Sequence, residues 1–320
     1  MVDTNSFKNQ DKLWAISKQA SKQAGSNPRG LARCFGQDSM KGEHVVGGNG
    51  NGTHGPWDAY SHDDDVSRRI AAAQPQSGTS IFDPVLCELA YRWFCPPAGT
   101  VLDPFAGGSV RGIVASKLGR QYIGVDLSER QLEANREQAA RLCGEPMPVW
   151  IAGDSRQIAA ACDGVQVDLV FSCPPYADLE VYSDDPRDIS TMGYADFLKV
   201  YREIIAACIG MLKQDRFAAF VVGDVRDPKG FYRNLPGDTV AAFQDAGARL
   251  YNEAMLVTCL GSLPIRVGRQ FAAGRKLGKT HQNVLVFCKG NPKRATEAVG
   301  PVEFGDVEGV DSESPIAVGA

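Results

Sequence analysis

The chain has 320 residues, 43% apolar and 22% charged, which permits one large or two ordinary domains and excludes collagen-like, coiled-coil and wholly disordered classes. The opening MVDTNSFKNQDK lacks the apolar stretch of a signal peptide and no transmembrane-length apolar run follows, so a soluble cytoplasmic protein is expected. The net charge of -4 hides an asymmetry: six acids and no Lys or Arg fall in residues 297–320, and the remainder is slightly basic. No acid occurs between Glu253 and Glu297, a stretch holding Arg266, Arg269, Arg275, Lys276, Lys279, Lys289, Lys293 and Arg294. Such a stripe suits a polyanionic partner, a solvated face being the alternative. Nine cysteines with no C-x-x-C pair fit reduced thiols better than a disulfide framework or a zinc site.

In chain order, residues 1–79 read as a partly flexible segment: a helix near Leu13 to Ala24, the low-complexity GGNGNG from Gly47, and the acidic Asp63 to Asp65. His54 and His62 match no metal-ligand spacing and read as loop residues, so no metal is expected. Asp83 before Pro84 is a helix N-cap with proline in the first turn, and Val85, Leu86, Leu89, Ala90 and Trp93 are predicted on its inner face. Short apolar runs at Thr100 to Leu102, Tyr122 to Val125, Val149 to Ala152 and Leu169 to Phe171 predict buried parallel strands. Ser128 with Gln131 forms a capping box, placing Leu132, Ala139 and Leu142 inward. A long amphipathic helix from Tyr194 to Leu212 precedes a fifth strand, Phe217 to Val222. Leu250 to Val257 and Asn283 to Phe287 read as an antiparallel edge pair, with no helical pattern between them. Alternating strands and helices predict an α/β, doubly wound, mostly parallel sheet with an antiparallel edge strand.

Ligands of such sheets bind beyond the carboxyl ends of the strands. There the sequence places Asp103, Asp126, Asp154, Cys173 and Asp224, one after each of the first five strands. In DPFAGGSVRG, Gly107 and Gly108 allow a tight bend and close ligand approach, and Asp126 stands where a carboxylate accepts both hydroxyls of an adenosyl ribose. A dinucleotide enzyme would usually show G-x-G-x-x-G, which is absent. In DLVFSCPPY two prolines stiffen the backbone behind Cys173, and Tyr176 offers a ring face to a planar base.

With these motifs, residues 80–290 resemble the amino-group DNA methyltransferases, which use S-adenosylmethionine to modify adenine N6 or cytosine N4. The resemblance implies a Rossmann-like methyltransferase domain over 80–290; the acid-rich 291–320 is expected to be a disordered tail. It implies that Asp103, Phe105, Gly107 and Gly108 line the methionine end of the cofactor, that Asp126 holds the ribose, and that Asp154 reaches the adenine. Phe82 and Asp83 open the helix that precedes the glycine turn in that family, and join the cofactor side. Pro174, Pro175 and Tyr176 would grip a target base flipped out of duplex DNA, while Arg266, Arg269, Arg275, Lys276 and Lys279 neutralise phosphates. A modification enzyme of a restriction pair or of a phage fits this reading.

Three features depart from the family pattern. Ser109 replaces the last glycine of F-x-G-x-G; no insertion large enough for a target-recognition domain separates the motifs; and Cys173 stands where the family has Asp, Asn or Ser. Sulfur accepts hydrogen bonds weakly, whereas a thiolate is a strong nucleophile. Two mechanisms therefore stay open: amino transfer with Cys173 tolerated in place of serine, or carbon-5 transfer to cytosine with Cys173 as nucleophile, Asp224 as acid and Arg266 or Arg269 as cation. Cytosine is favoured under both. A non-catalytic DNA-binding regulator on the same fold is the reading from another class.

Overall fold

The computed structural model describes residues 82–177, 182–257 and 263–302, without the side chains of 263–266. The expectations for residues 1–79, for His54 and His62, and for the tail beyond 302 lie outside the described residues.

Among the described residues, seven strands form one sheet in the order β3-β2-β1-β4-β5-β7-β6. They are β1 Thr100–Asp103, β2 Gln121–Asp126, β3 Val149–Ala152, β4 Val167–Ser172, β5 Leu212–Val222, β6 Arg249–Val257 and β7 His281–Lys289. β1 to β5 pair in parallel, and β7 runs antiparallel to both β5 and β6. The expected edge pair is present, with the later strand β7 slotted inside β6. The chain runs outward from β1 to β3 and returns to β4 beside β1, so the strand order reverses between β1 and β4. That reversal opens the crevice in which doubly wound sheets bind ligands.

Side chains alternate across the strands and divide the core. Leu102, Val170, Phe220 and Phe287 face one layer, Val101, Phe171, Val221 and Val286 the other. On the first side pack α4 Ile158–Ala161, α5 Tyr194–Met211 and α6 Leu235–Asp245; on the second, α1 Pro84–Phe94, α2 Val110–Lys117, α3 Glu129–Leu142 and α8 Pro292–Val299. The remaining helix, α7 Leu263–Gly274, lies between β6 and β7.

The caps follow the sequence. Asp83 accepts the N–H groups of Val85 and Leu86 at 2.8 and 3.4 Å, and Ser128 accepts that of Gln131 at 3.3 Å. The face of α1 follows in part: Ala90 is buried and Leu86 packs against the core, but Pro84, Cys87 and Tyr91 fill the rest of the inner face and Val85 and Trp93 are exposed. The rotation is set by Tyr91, whose hydroxyl donates to the Arg111 carbonyl at 2.9 Å from within the core.

Two further expectations are corrected. The stretch between β6 and β7 is helical over Leu263–Gly274 despite Gly268, its Pro264 being tolerated in the first turn. The domain does not end at 290: Asn291 caps α8 by accepting the N–H groups of Lys293 and Arg294, and Ala295 and Val299 are buried in the core. The segment assigned to a disordered tail therefore starts as part of the folded unit, because two apolar side chains four residues apart give it a face to bury.

Candidate active site

The crevice is shaped from beneath by Asp103. Its carboxylate is fully buried and accepts hydrogen bonds from Arg111 Nε at 2.5 Å, Tyr122 Oη at 2.7 Å, Ser172 Oγ at 2.5 Å and the Phe105 N–H at 3.1 Å. Arg111 also donates to the carbonyls of Phe105 and Ala106 at 2.6 and 3.0 Å, and its guanidinium lies 4.6 Å from the Phe82 ring centroid. Burial opposes the Arg111 charge, but the Asp103 carboxylate beside it outweighs that cost and holds the group protonated beyond its ordinary range. Asp103 thus ties the glycine turn to β2 and β4, its carboxylate engaged by these four donors. Phe82 sits edge-on to Phe171 at 5.7 Å, and Asp83 is committed to its helix cap.

Above this hub the turn is open. Gly107 adopts φ +48°, and a side chain on Gly108 would meet no atom within 4 Å. Gly107 donates its N–H to Asp126 Oδ2 at 2.9 Å, and its carbonyl accepts from Asn135 of α3 at 2.7 Å. Ser109, in the last glycine position, donates to Gln138 of the same helix, so the departure from the glycine pattern clips the turn to α3. Phe105 is half-buried against Tyr201 and Phe220.

Asp126 Oδ1 accepts the Ser128 N–H at 2.9 Å. With one backbone donor on each oxygen, the carboxylate retains acceptor capacity for a ligand. Burial pushes its pKa up against the pull of the Ser128 and Gly107 N–H groups. Asp154 behaves oppositely: burial would raise it, yet the Arg156 side chain and N–H hold it below the usual carboxylate range. It borders a cleft of about 560 Å³ lined by Gly153, Arg156, Gln157, Ala160 and Arg187.

At the end of β4, Cys173 is half-buried and its Sγ lies 3.8 Å from Tyr176 Oη. Pro174 is buried, Pro175 half-buried, and the chain turns at Ala177 with φ +51°. Tyr176 is fixed twice: Gln282 Nε2 donates to its hydroxyl, and a Cβ on Gly223 would stand 3.5 Å from its ring. Sequence reasoning missed Gln282. The signal was available, because an antiparallel last strand brings its first residues to the rim where the parallel strands end; Asn283 pairs with Val222.

Asp224 is spoken for by its own loop. Its Oδ1 accepts the N–H groups of Val225, Asn234 and Leu235 at 2.9, 3.1 and 3.4 Å, closing the segment that leads into α6. The side chain of Arg266 lies outside the described residues; Arg269, Arg275 and Lys276 are exposed on and after α7, and Lys279 is half-buried. The Lys276 ammonium reaches the loop after β5, lying 3.2 Å from the place a Cβ on Gly230 would occupy. Sequence reasoning did not foresee that the stripe reaches this loop, where Arg226 also donates to the Gly230 carbonyl.

A glycine turn after β1, a carboxylate ending β2 and a strand order reversing at β1 and β4 define a Rossmann-like methyltransferase fold. Residues 85–137 match the family model described as DNA methylase, which supports the amino-group methyltransferase family and S-adenosylmethionine as cofactor. No curated protein matches the chain in sequence. Among solved structures the chain is similar to TrmN from Thermus thermophilus, at 18% identity and TM-score 0.45, covering 70% of this chain and 53% of that one. The chain thus spans about half the length of that protein. It is also similar to magnesium protoporphyrin IX methyltransferase (ChlM) from Synechocystis PCC 6803 with bound SAM, at 13% identity and TM-score 0.42, covering 72% and 92%. A methyltransferase from Pyrococcus furiosus matches at 13% identity and TM-score 0.40, covering 71% and 95%. Among the described residues no helix is long and apolar enough to cross a membrane.

Proposed function

We propose that the protein is an S-adenosylmethionine-dependent DNA methyltransferase acting on an exocyclic amine, cytosine N4 or adenine N6, of a base flipped out of a duplex. The observation that carries this reading is the C-P-P-Y end of β4 at the strand-order reversal, one strand from the open glycine turn, with Tyr176 held by Gln282 and Gly223.

The residues present fit the cofactor. Asp126 keeps acceptor capacity for ribose hydroxyls, Gly107 and Gly108 leave room for close approach, and Phe105 borders the same turn. Asp154, beside its cleft, takes the adenine side. When bound, S-adenosylmethionine supplies an electrophilic methyl group. The protein's part is then to hold the base: Tyr176 stacks on it, and the Pro174 carbonyl accepts a hydrogen bond from the amine so that its lone pair leaves conjugation with the ring. Cys173 occupies the position beside that carbonyl as a small, weak acceptor.

Carbon-5 transfer is the second reading. The position of the half-buried Cys173 thiol at the crevice end of β4 favours it. The commitment of Asp224 to three backbone donors weighs against it. Incubation with radiolabelled S-adenosylmethionine and duplex DNA, followed by mass spectrometry of the nucleosides, tests the proposal: N4-methylcytosine or N6-methyladenine is expected, 5-methylcytosine selects the second reading, and unlabelled DNA selects a non-catalytic binder.

A further inference from the structure

The loop between β5 and α6 is built more tightly than a connection requires. Asp224 closes its base, and the Arg233 N–H donates to the Val225 carbonyl at 2.9 Å. Arg226 and Tyr232 form an antiparallel bridge, and the Asp227 N–H donates to the Phe231 carbonyl at 2.8 Å. At the tip, Asp227 Oδ1 accepts the Phe231 N–H at 2.8 Å, while Gly230 turns with φ +95° and donates to the Asp227 carbonyl at 2.9 Å. The Arg226 guanidinium braces the structure, lying 3.8 Å from the Tyr232 ring centroid and donating to the Gly230 carbonyl at 2.8 Å.

This scaffold presents Phe231 to solvent with 71% of its surface exposed. A phenylalanine so placed adds little to folding, since burial of its ring is what would stabilise the protein. Two lysines flank it beside the Asp227 carboxylate that holds its N–H: Lys229 is exposed on the same hairpin, and Lys276 arrives from the basic stripe. The hairpin springs from Gly223, the residue against which the Tyr176 ring rests. A rigid apolar ring flanked by two lysines on the rim of the crevice is the chemistry of a side chain that enters a base stack while its neighbours hold phosphates.

We propose that Phe231 is a wedge that inserts into the DNA duplex and fills the gap left when the target base swings out toward Tyr176. The inference rests on the proposed DNA substrate. A paired base is extruded against its stacking and pairing energy, and a ring that replaces the lost stacking lowers that cost. A target in single-stranded DNA has no such gap to fill.

The test compares methyl transfer by the full chain to native genomic DNA and to the same DNA after heat denaturation, for wild type, Phe231→Ala and Phe231→Leu. Phe231→Ala is expected to lose about tenfold on native DNA and less than twofold on denatured DNA, while Phe231→Leu, still an apolar wedge, keeps most of the native-DNA rate. In Phe231→Trp, added duplex should quench the new indole fluorescence through stacking. Undiminished transfer to native DNA by Phe231→Ala, an equal loss on both substrates, or an unquenched tryptophan would overturn the wedge and leave the substrate reading intact. A wild type that methylates neither DNA, or only RNA, would overturn both.

Discussion

The Asp103 carboxylate and the Arg111 guanidinium meet at 2.5 Å with side chains 0% and 6% exposed, a buried ion pair joining the end of β1 to the first turn of α2. Breaking such a pair leaves a charge without its partner, at a cost of about 3 to 5 kcal/mol. Arg111→Met is therefore expected to lower stability to chemical denaturation by that order. It should also loosen the glycine turn, whose Phe105 and Ala106 carbonyls lose their donor, and weaken cofactor binding. Wild-type cofactor affinity in a destabilised variant would show that the turn holds its shape without the hub.

Under the proposed function, Asp126 should set a pH limit on cofactor binding. An ionised carboxylate accepts ribose hydroxyls, and its pKa is raised by burial, so affinity should fall as pH drops through a value above the ordinary carboxylate range. Calorimetry across that range is expected to show the decline in wild type and a flatter profile in Asp126→Asn. The variant should bind about 1 to 3 kcal/mol more weakly at neutral pH.

Cys173 separates the two mechanisms. Under amino transfer, Cys173→Ser replaces a weak acceptor with a better one, and turnover should persist or rise. Under carbon-5 transfer, the serine hydroxyl has no adjacent base and turnover should vanish. We expect persistence, and no covalent complex with a 5-fluorocytosine duplex; a dead variant together with a trapped complex would establish the thiol as nucleophile.

Arg269 and Lys276 should make binding salt-dependent. Each phosphate contact removed is expected to reduce the slope of log affinity against log salt by about 0.9. Arg269→Gln and Lys276→Gln, measured by anisotropy with duplex DNA at several salt concentrations, should each show that decrement without altering S-adenosylmethionine affinity.

Asp168, at the opposite end of β4 from Cys173, carries acid sensitivity. It accepts from Lys213 at 2.9 Å, Arg216 at 3.0 Å and the Thr100 N–H at 3.1 Å. Burial alone would raise its pKa, and these partners together bring it below the usual carboxylate value. Its stabilising contribution is thus present above the unfolded-state pKa and lost as pH falls through the lower folded value. Asp168→Asn should cost about 1.5 to 3 kcal/mol at neutral pH, lose less on acidification than wild type, and leave cofactor affinity unchanged.

Local pattern alone determined the strand runs, the Asp83 and Ser128 caps, the glycine turn and the C-P-P-Y strand end, because each depends on neighbours a few residues away. From these the doubly wound class and the crevice were legible. Contacts between distant residues decided the rest. α2 escaped notice because every residue from Val110 to Ser116 is buried, so no amphipathic stripe marks it, and its buried Arg111 is tolerable only through Asp103, contributed by another element. Asp103, Asp126 and Asp224 look alike in sequence as acids following strands. Yet one is a buried hub, one keeps acceptor capacity at the glycine turn, and one closes a hairpin, since the role of a carboxylate is set by the donors the fold brings to it. Gln282 reaches Tyr176 across 106 positions only because β7 runs antiparallel and lays its first residues at the rim where β5 ends.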